Sequence, residues 1–324
     1  MREISIKDIE NIKIGAAENL EGGTGCTVII CENGAPVGLD VRGGGPASRE
    51  SELLKPTAAA DRVHAVLLSG GSAFGLDAAG GVMKYLEERG IGFDVGITKV
   101  PLVCESCLFD LTVGDKDIRP DKEMGYAACV NAEVGNYRDG SVGAGVGATV
   151  GKLYGMDYCM KSGIGSYAVQ TGELQVGAIV AVNALGDIFD YKTGKKIAGL
   201  LNEEKNGFRS TTDEMLRNYS VKENKFVGNT TIGTVITNAR FNKTELSKIA
   251  SMAHNGYARA IDPVHTSADG DSIYAMSVGE VRADMDMLGT LAARVMAEAV
   301  VKAVKNAESM YGYKSAKDLD FAEE

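Results

Sequence analysis

The sequence predicts an α+β protein in which helices pack over antiparallel-rich sheets, rather than a doubly wound parallel fold. The order of the elements predicts it, and size and glycine content bound the core and the turns. β-Branched apolar runs and helical patterns follow one another as strands, helices, then strand, helix, strand, helix, with no regular βαβ train. The 324 residues, 44% of them apolar, suffice for one large or two medium domains with a substantial core. Forty-one glycines against six prolines call for many tight turns and close backbone approaches, and no stretch has the composition of disorder.

Taken in order, residues 24–42 hold two β-rich runs around Glu32-Asn33-Gly34, and Asn-Gly between such runs is a hairpin signal. Gly43-Gly44-Gly45-Pro46 and the residues up to Glu50 read as an irregular loop, either a ligand loop or a crossover. Residues 63–68 read as a buried strand, and Ser69-Gly70-Gly71-Ser72 leads into a helix ending near Gly90. That turn could hold an anion at the helix N-terminus. It could also present Ser72 as a nucleophile, but a G-x-S-x-G elbow needs glycine where Phe74 stands. A helix is expected over 122–132. Residues 143–152 look like a phosphate loop, yet Val146 and Leu153 break the Walker pattern. Lys152 closes this apolar, glycine-rich segment. Residues 176–184 form a strong strand with Asn183 at its far end, a turn former or an oxyanion donor. The charged stretch 191–225 reads as a flexible surface segment.

Phe226-Val227-Gly228-Asn229-Thr230-Thr231 then runs into a β-branched strand through Thr237. As a hairpin strand it would be ordinary. If the bond before Thr230 is cut, however, that residue carries Oγ and a free α-amine, nucleophile and base together. The amine's reference pKa of about 7.7 to 8.0 suits a general base. Asn242-Lys243-Thr244-Glu245 is a capping box opening an amphipathic helix through Leu246, Ile249, Ala250, Ala253 and Tyr257. Asp269-Gly270-Asp271 leads into a strand over 272–278. Leu288, Leu291, Ala292, Val295, Ala299 and Ala303 mark a last helix ending near Met310.

Composition also excludes function classes. A net charge of −10, without a basic stripe, disfavours nucleic acid and anionic lipid as partners. The N-terminus lacks the apolar core of a signal peptide, and no run approaches the roughly 18 apolar residues of a membrane span. A cytoplasmic protein is expected. The six cysteines are expected as buried free thiols; Cys104-Glu105-Ser106-Cys107 is a lone C-x-x-C without a second pair. His64, His254 and His265 show no ligand spacing, so neither a metal nor a cofactor is expected.

With these residues laid out, the chain resembles the DmpA-type peptidases: self-processing aminopeptidases, β-peptidyl aminopeptidases and nylon-oligomer hydrolases related in fold to ornithine acetyltransferase. The resemblance spans nearly the whole chain. It is carried by Thr24-Gly25 through Ile30, Arg42-Gly43-Gly44 with Arg49-Glu50, and Leu68-Ser69-Gly70-Gly71-Ser72-Ala73-Phe74-Gly75-Leu76-Asp77. It continues in Val142-Gly143-Ala144-Gly145 through Lys152, Gly228-Asn229-Thr230-Thr231-Ile232-Gly233, and Pro263-Val264-His265-Thr266 with Asp269-Gly270-Asp271. It implies a single αββα sandwich of the N-terminal-nucleophile-hydrolase kind, cut between Asn229 and Thr230 into an α chain of residues 1–229 and a β chain of 230–324. It further implies Asp269 and Asp271 as the acidic pair near the nucleophile, Lys152 as the nearby cation, Asn183 as the oxyanion donor, and a tetramer of αβ units. Aminopeptidases of the family carry a tyrosine in the region that aligns with Cys107, and this chain has none there.

The chemistry of these residue types fits the roles. Two carboxylates one residue apart at a strand mouth can hold a threonine hydroxyl and its ammonium, and β-branching already restricts χ1. A lysine near the terminal amine disfavours its protonated form and leaves more of it available as base. The expected function is an N-terminal-threonine amidohydrolase acting on small peptide, β-peptide or ω-amino-acid amides. The alternatives are an acyltransferase of the ornithine acetyltransferase kind and a non-catalytic small-ligand-binding protein.

Overall fold

The computed structural model describes residues 1–218 and 228–319. The first half of the chain contributes β1 (Arg2–Ile4), β2 (Lys13–Asn19), β3 (Thr24–Ala35), β4 (Val37–Val41), β5 (Ala47–Arg49) and β6 (Val63–Ser69). Helix α1 (Ala78–Glu87), β7 (Val103–Cys107) and α2 (Lys122–Glu133) follow. The second half supplies β8 (Ile164–Thr171), β9 (Leu174–Ala181), α3 (Thr211–Arg217), β10 (Ile232–Ala239), α4 (Lys243–Ala260), β11 (Ser272–Val281) and α5 (Met285–Lys305). These strands build two sheets, one ordered β1-β8-β9-β10-β11-β4 and the other β2-β3-β6-β7-β5. Within them only β10 with β11 and β6 with β7 run parallel.

Helices α4 and α5 cover the outer face of the six-stranded sheet, α1 and α2 that of the five-stranded sheet, and a third apolar cluster fills the space between the sheets. The molecule is therefore an αββα sandwich. The middle strands are buried on both faces, which is why they read as continuous apolar runs. On β10, Val235 points toward the helices while Ile232 and Ile236 enter the layer between the sheets. The capping box forms at Asn242 and Glu245, and the predicted apolar faces of α4 and α5 both lie in the helix-side core.

Several local expectations are corrected. Residues 24–42 do not form a hairpin: β3 pairs with β2 and β6, and β4 pairs with β11 of the other sheet. Asn33-Gly34 lies in a register shift between Ile30 and Ala35. Pro36 has no N–H to continue the ladder, and Ala35 and Val37 are both buried between the sheets, so the chain crosses there. The loop of residues 43–50 contains the short strand β5. The charged stretch 191–225 holds strand Lys196–Ala198 and helix α3, with Asp187 accepting from Leu200 N, Thr211 N and Lys196 Nζ; its residues 219–225, like Phe226 and Val227, lie outside the described residues. The last helix stops at Lys305, capped by Asn306, short of Met310. All six cysteines are buried free thiols.

Candidate active site

The predicted site residues converge at one end of three neighbouring strands. Antiparallel pairing sets Ala181 of β9 against Ile232 of β10, so the chain just past one strand meets the chain just before the other. Thr230 N–H donates to Asn183 O at 2.8 Å. The parallel pairing of Ile232 with Ser272 brings the start of β11 alongside, and Thr231 N–H donates to Asp271 Oδ1 at 2.8 Å. Lys152 arrives from the glycine-rich segment, held by its N–H on Leu185 O. Thr230, Asp269, Asp271, Lys152, Asn183 and Asn229 are all buried.

The Thr230 hydroxyl turns back onto the peptide that precedes it, with Oγ1 2.5 Å from Asn229 O. The same carbonyl oxygen accepts the Gly270 N–H at 2.9 Å. A Cβ on Gly270 would lie 2.6 Å from Thr230 Oγ1, so only glycine lets the acidic loop close over the hydroxyl. The Gly43 loop braces that loop from the other side, with Gly43 N–H on Asp271 O and Gly45 N–H on Asp269 O; a Cβ on Gly43 would meet Asp271 N at 2.3 Å. The glycines of 43–45 thus serve a backbone approach within the protein.

Lys152 Nζ donates to Asn183 Oδ1 at 2.7 Å, Gly228 O at 2.9 Å and Asn183 O at 3.2 Å, three acceptors for three ammonium hydrogens. Burial pushes its pKa down to about 7, with Asp269, Asp110 and Asp271 among the charges pulling it back up. Asn183 Nδ2 donates to Phe109 O at 2.8 Å and Gly228 O at 3.3 Å, while Oδ1 also accepts Thr149 N–H. Its amide hydrogens face those two carbonyls rather than the oxygen of Asn229. Asp269 Oδ2 accepts Thr266 N–H and Oγ1–H, and Oδ1 faces Leu185 N–H. Burial, and then the charge of Asp271, raise the Asp269 carboxyl above the ordinary carboxylate range.

Some participants escaped sequence reasoning. His265 donates both its backbone N–H and Nδ1–H to Asp271 Oδ2, at 3.1 and 2.9 Å, from a left-handed backbone with φ 58°. Its ring packs edge-on against His254, whose pKa burial lowers to about 4. The segment Pro263-Val264-His265-Thr266 was the available signal, but a search for metal-ligand spacing passes over a histidine that serves a carboxylate. Asp110 is also close: it accepts Thr24 Oγ1–H at 2.6 Å and Gly71 N–H at 2.7 Å, and burial raises it to about 6. Among the described residues no group of three or more His, Cys, Asp or Glu side chains could hold a metal ion, and no helix is long and apolar enough to cross a membrane. Ser72 opens the turn before α1, its N–H on Leu108 O.

Two donors, the Thr230 hydroxyl and the Gly270 N–H, thus converge on the carbonyl oxygen of the 229–230 peptide. Residues 5–317 match the family described as Peptidase family S58. An "uncharacterized aminopeptidase" of Mycobacterium leprae is 37% identical over 95% of this chain and 92% of its own length. A 6-aminohexanoate-oligomer endohydrolase of Agromyces is 31% identical over 94% of this chain and 87% of its own. Among solved structures, the L-aminopeptidase D-Ala-esterase/amidase of Ochrobactrum anthropi superposes with TM-score 0.71 at 16% identity, over 94% of this chain and 87% of that one. It is described as a variant of the Ntn hydrolase fold and a prototype of the serine aminopeptidases. A Burkholderia β-aminopeptidase gives TM-score 0.66 at 17% identity, over 99% and 96% of the two chains.

Proposed function

Since the chain belongs to peptidase family S58 and is a hydrolase of amide or peptide bonds, we propose that it is a self-processing amidohydrolase whose nucleophile is Thr230. It is cut between Asn229 and Thr230 into an α chain of residues 1–229 and a β chain of 230–324. The observation that carries this reading is the Thr230 hydroxyl, 2.5 Å from the oxygen of the Asn229 carbonyl and buried with it. Thr230 Oγ bonds to the Asn229 carbon, the C–N bond breaks, and the hydroxyl proton ends on the departing nitrogen. Water then hydrolyses the ester to an Asn229 carboxylate, leaving Thr230 at the head of the β chain with its hydroxyl restored and its α-amine free. Holding the reacting groups in place supplies the rate that an ordinary peptide lacks.

In turnover, the Thr230 amine takes the hydroxyl proton as Oγ attacks a substrate carbonyl, returns it to the leaving amine, and then activates water against the acyl-enzyme. Asp271 fixes the Thr230–Thr231 backbone through Thr231 N–H, and Asp269 fixes the turn that carries Gly270. Lys152 disfavours the protonated amine, and Asn183 donates to the oxyanion. The relatives' names span amino-terminal and internal amides, and both support small peptide, β-peptide or ω-amino-acid amides as the substrate class here. Cys107, where the family's aminopeptidases carry tyrosine, is buried against Glu105. The assembly proposed is a cytoplasmic tetramer of αβ units, which size-exclusion chromatography with light scattering tests.

Intact-mass spectrometry of the purified chain tests the cut. Scaling 34.1 kDa by 229/324 and 95/324 gives pieces of about 24 and 10 kDa, the smaller starting Thr-Thr-Ile-Gly. Thr230→Ala leaves the chain whole and inactive. A wild-type chain that stays intact yet hydrolyses amides at full rate would sink the terminal-threonine mechanism.

A further inference from the structure

We propose that the two reactions of this site use different oxyanion donors: the Gly270 N–H serves the cut, while a cradle of Asn183 Nδ2 and Lys152 Nζ, filled by the Gly228 carbonyl in the uncut chain, serves the substrate. The inference rests on the self-processing reading and refines it.

Two peptide carbonyls next to each other in the chain carry the argument. The oxygen of Asn229 belongs to the bond to be cut. It receives Gly270 N–H at 2.9 Å, within the range at which a donor stabilises a developing oxyanion, and this donor is backbone in a loop braced by the Gly43 turn. As Thr230 Oγ bonds to the Asn229 carbon, the carbonyl π pair moves onto this oxygen and strengthens that hydrogen bond. The pair returns as the C–N bond breaks and the nitrogen keeps the proton. Asn183 takes no part, because its Nδ2 is committed to Phe109 O and Gly228 O.

The oxygen of Gly228 sits elsewhere, 2.9 Å from Lys152 Nζ and 3.3 Å from Asn183 Nδ2. Two buried donors converging on one carbonyl oxygen, one of them an ammonium, have the geometry of an oxyanion hole. In the uncut chain that hole holds the chain's own peptide. A substrate carbonyl enters only once the cut lets Gly228-Asn229 withdraw, so the uncut chain blocks its own substrate site.

The test uses the full-length chain and follows two rates: self-cutting, by mass spectrometry after synthesis, and hydrolysis of the 4-nitroanilides of alanine, β-alanine and 6-aminohexanoate. Asn183→Ala slows hydrolysis about 100- to 1000-fold and cutting by less than about 10-fold. Asn183→Leu keeps most of the volume, removes the Nδ2 donor without setting an acceptor against Phe109 O and Gly228 O, and gives the same split; circular dichroism checks the fold of both. Glycolic acid placed at position 270 by cell-free synthesis replaces one N–H with an ester oxygen and adds no bulk. That chain cuts about 100-fold more slowly. The proposal is overturned if either Asn183 variant, folded, slows cutting as much as hydrolysis, or if the glycolate chain cuts at the wild-type rate. A wild-type chain that neither cuts nor hydrolyses any of the anilides fails the parent reading instead, a different result from either of these.

Discussion

Lys152→Met separates what a buried lysine costs the fold from what it contributes to the chemistry. The comparison is made in the uncut Thr230→Ala background, so that both chains unfold as one piece. Burial lowers the pKa of Lys152 from 10.5 to about 7. At about 1.4 kcal/mol per pH unit, that difference corresponds to roughly 5 kcal/mol held against the charged form in the folded chain. The sign follows from proton binding. Below about pH 7 the lysine is charged folded and unfolded, and the full penalty is present. Between about 7 and 10.5 the unfolded chain binds more protons on this group than the folded chain, so wild-type stability rises with pH; above 10.5 the penalty is gone. Methionine keeps most of the volume and leaves no acceptor stranded. Asn183 O keeps Thr230 N–H, Asn183 Oδ1 keeps Thr149 N–H, and Gly228 O keeps Asn183 Nδ2. Urea unfolding followed by circular dichroism should therefore show Lys152→Met more stable by about 2 to 5 kcal/mol at pH 6, with the gain shrinking below about 1 kcal/mol at pH 10. With Thr230 restored, the same substitution should lower turnover by at least about 100-fold. A variant less stable than its parent at pH 6, or a gain that does not change with pH, would refute this account of the lysine's burial.

Three further outcomes are expected. Asp271→Asn offers one acceptor where Thr231 N–H and the two His265 donors need both oxygens, so it should slow cutting and turnover and lower urea stability by about 1 to 3 kcal/mol; normal maturation and turnover would reduce this residue to a turn former. His265→Asn retains a side-chain donor and tolerates the left-handed backbone, whereas His265→Ala does neither, so the cutting rate should be largely kept in the first and fall at least about 10-fold in the second; equal rates in the two would remove His265 from the support of Asp271. Because the carboxyl of Asp269 is raised and its ionised form is the acceptor for Thr266, the cutting rate should fall as pH drops while still above the model-peptide value of 3.8, and Thr266→Val, which removes the hydroxyl donor, should move that acid limb to higher pH; a rate unchanged down to pH 4 would contradict the role given to this carboxylate.

Much of this molecule was legible in the chain itself. The capping box at Asn242, the apolar stripes of α4 and α5, and the unbroken apolar run of β9 are fixed by neighbours within a turn or two, where sterics and periodicity act. By residue type alone the Asn229-Thr230 step is also an ordinary strand start and the Asp269-Gly270-Asp271 turn an ordinary turn; the resemblance singled both out, and it supplied the layer order that periodicity left open. Tertiary structure decided the rest. Asn33-Gly34 carries a hairpin signal, yet the apolar residues on either side of Pro36 belong to the layer between the sheets, and burying them there outweighs the local turn. Lys152 stands out already at the end of its glycine-rich segment and through the resemblance, but that its Nζ meets the carbonyl of Gly228, 76 residues away, is decided by packing. His265 becomes a carboxylate's partner only because the loop before β11 folds back on Asp271, and the Gly270 N–H finds the Asn229 carbonyl only through the parallel pairing of β10 with β11. Sequence determines what each segment can bury and which way its side chains alternate. Which donor meets which carbonyl depends on distances of a few tenths of an ångström across elements far apart in the chain, and those are set when the sheets and helices pack.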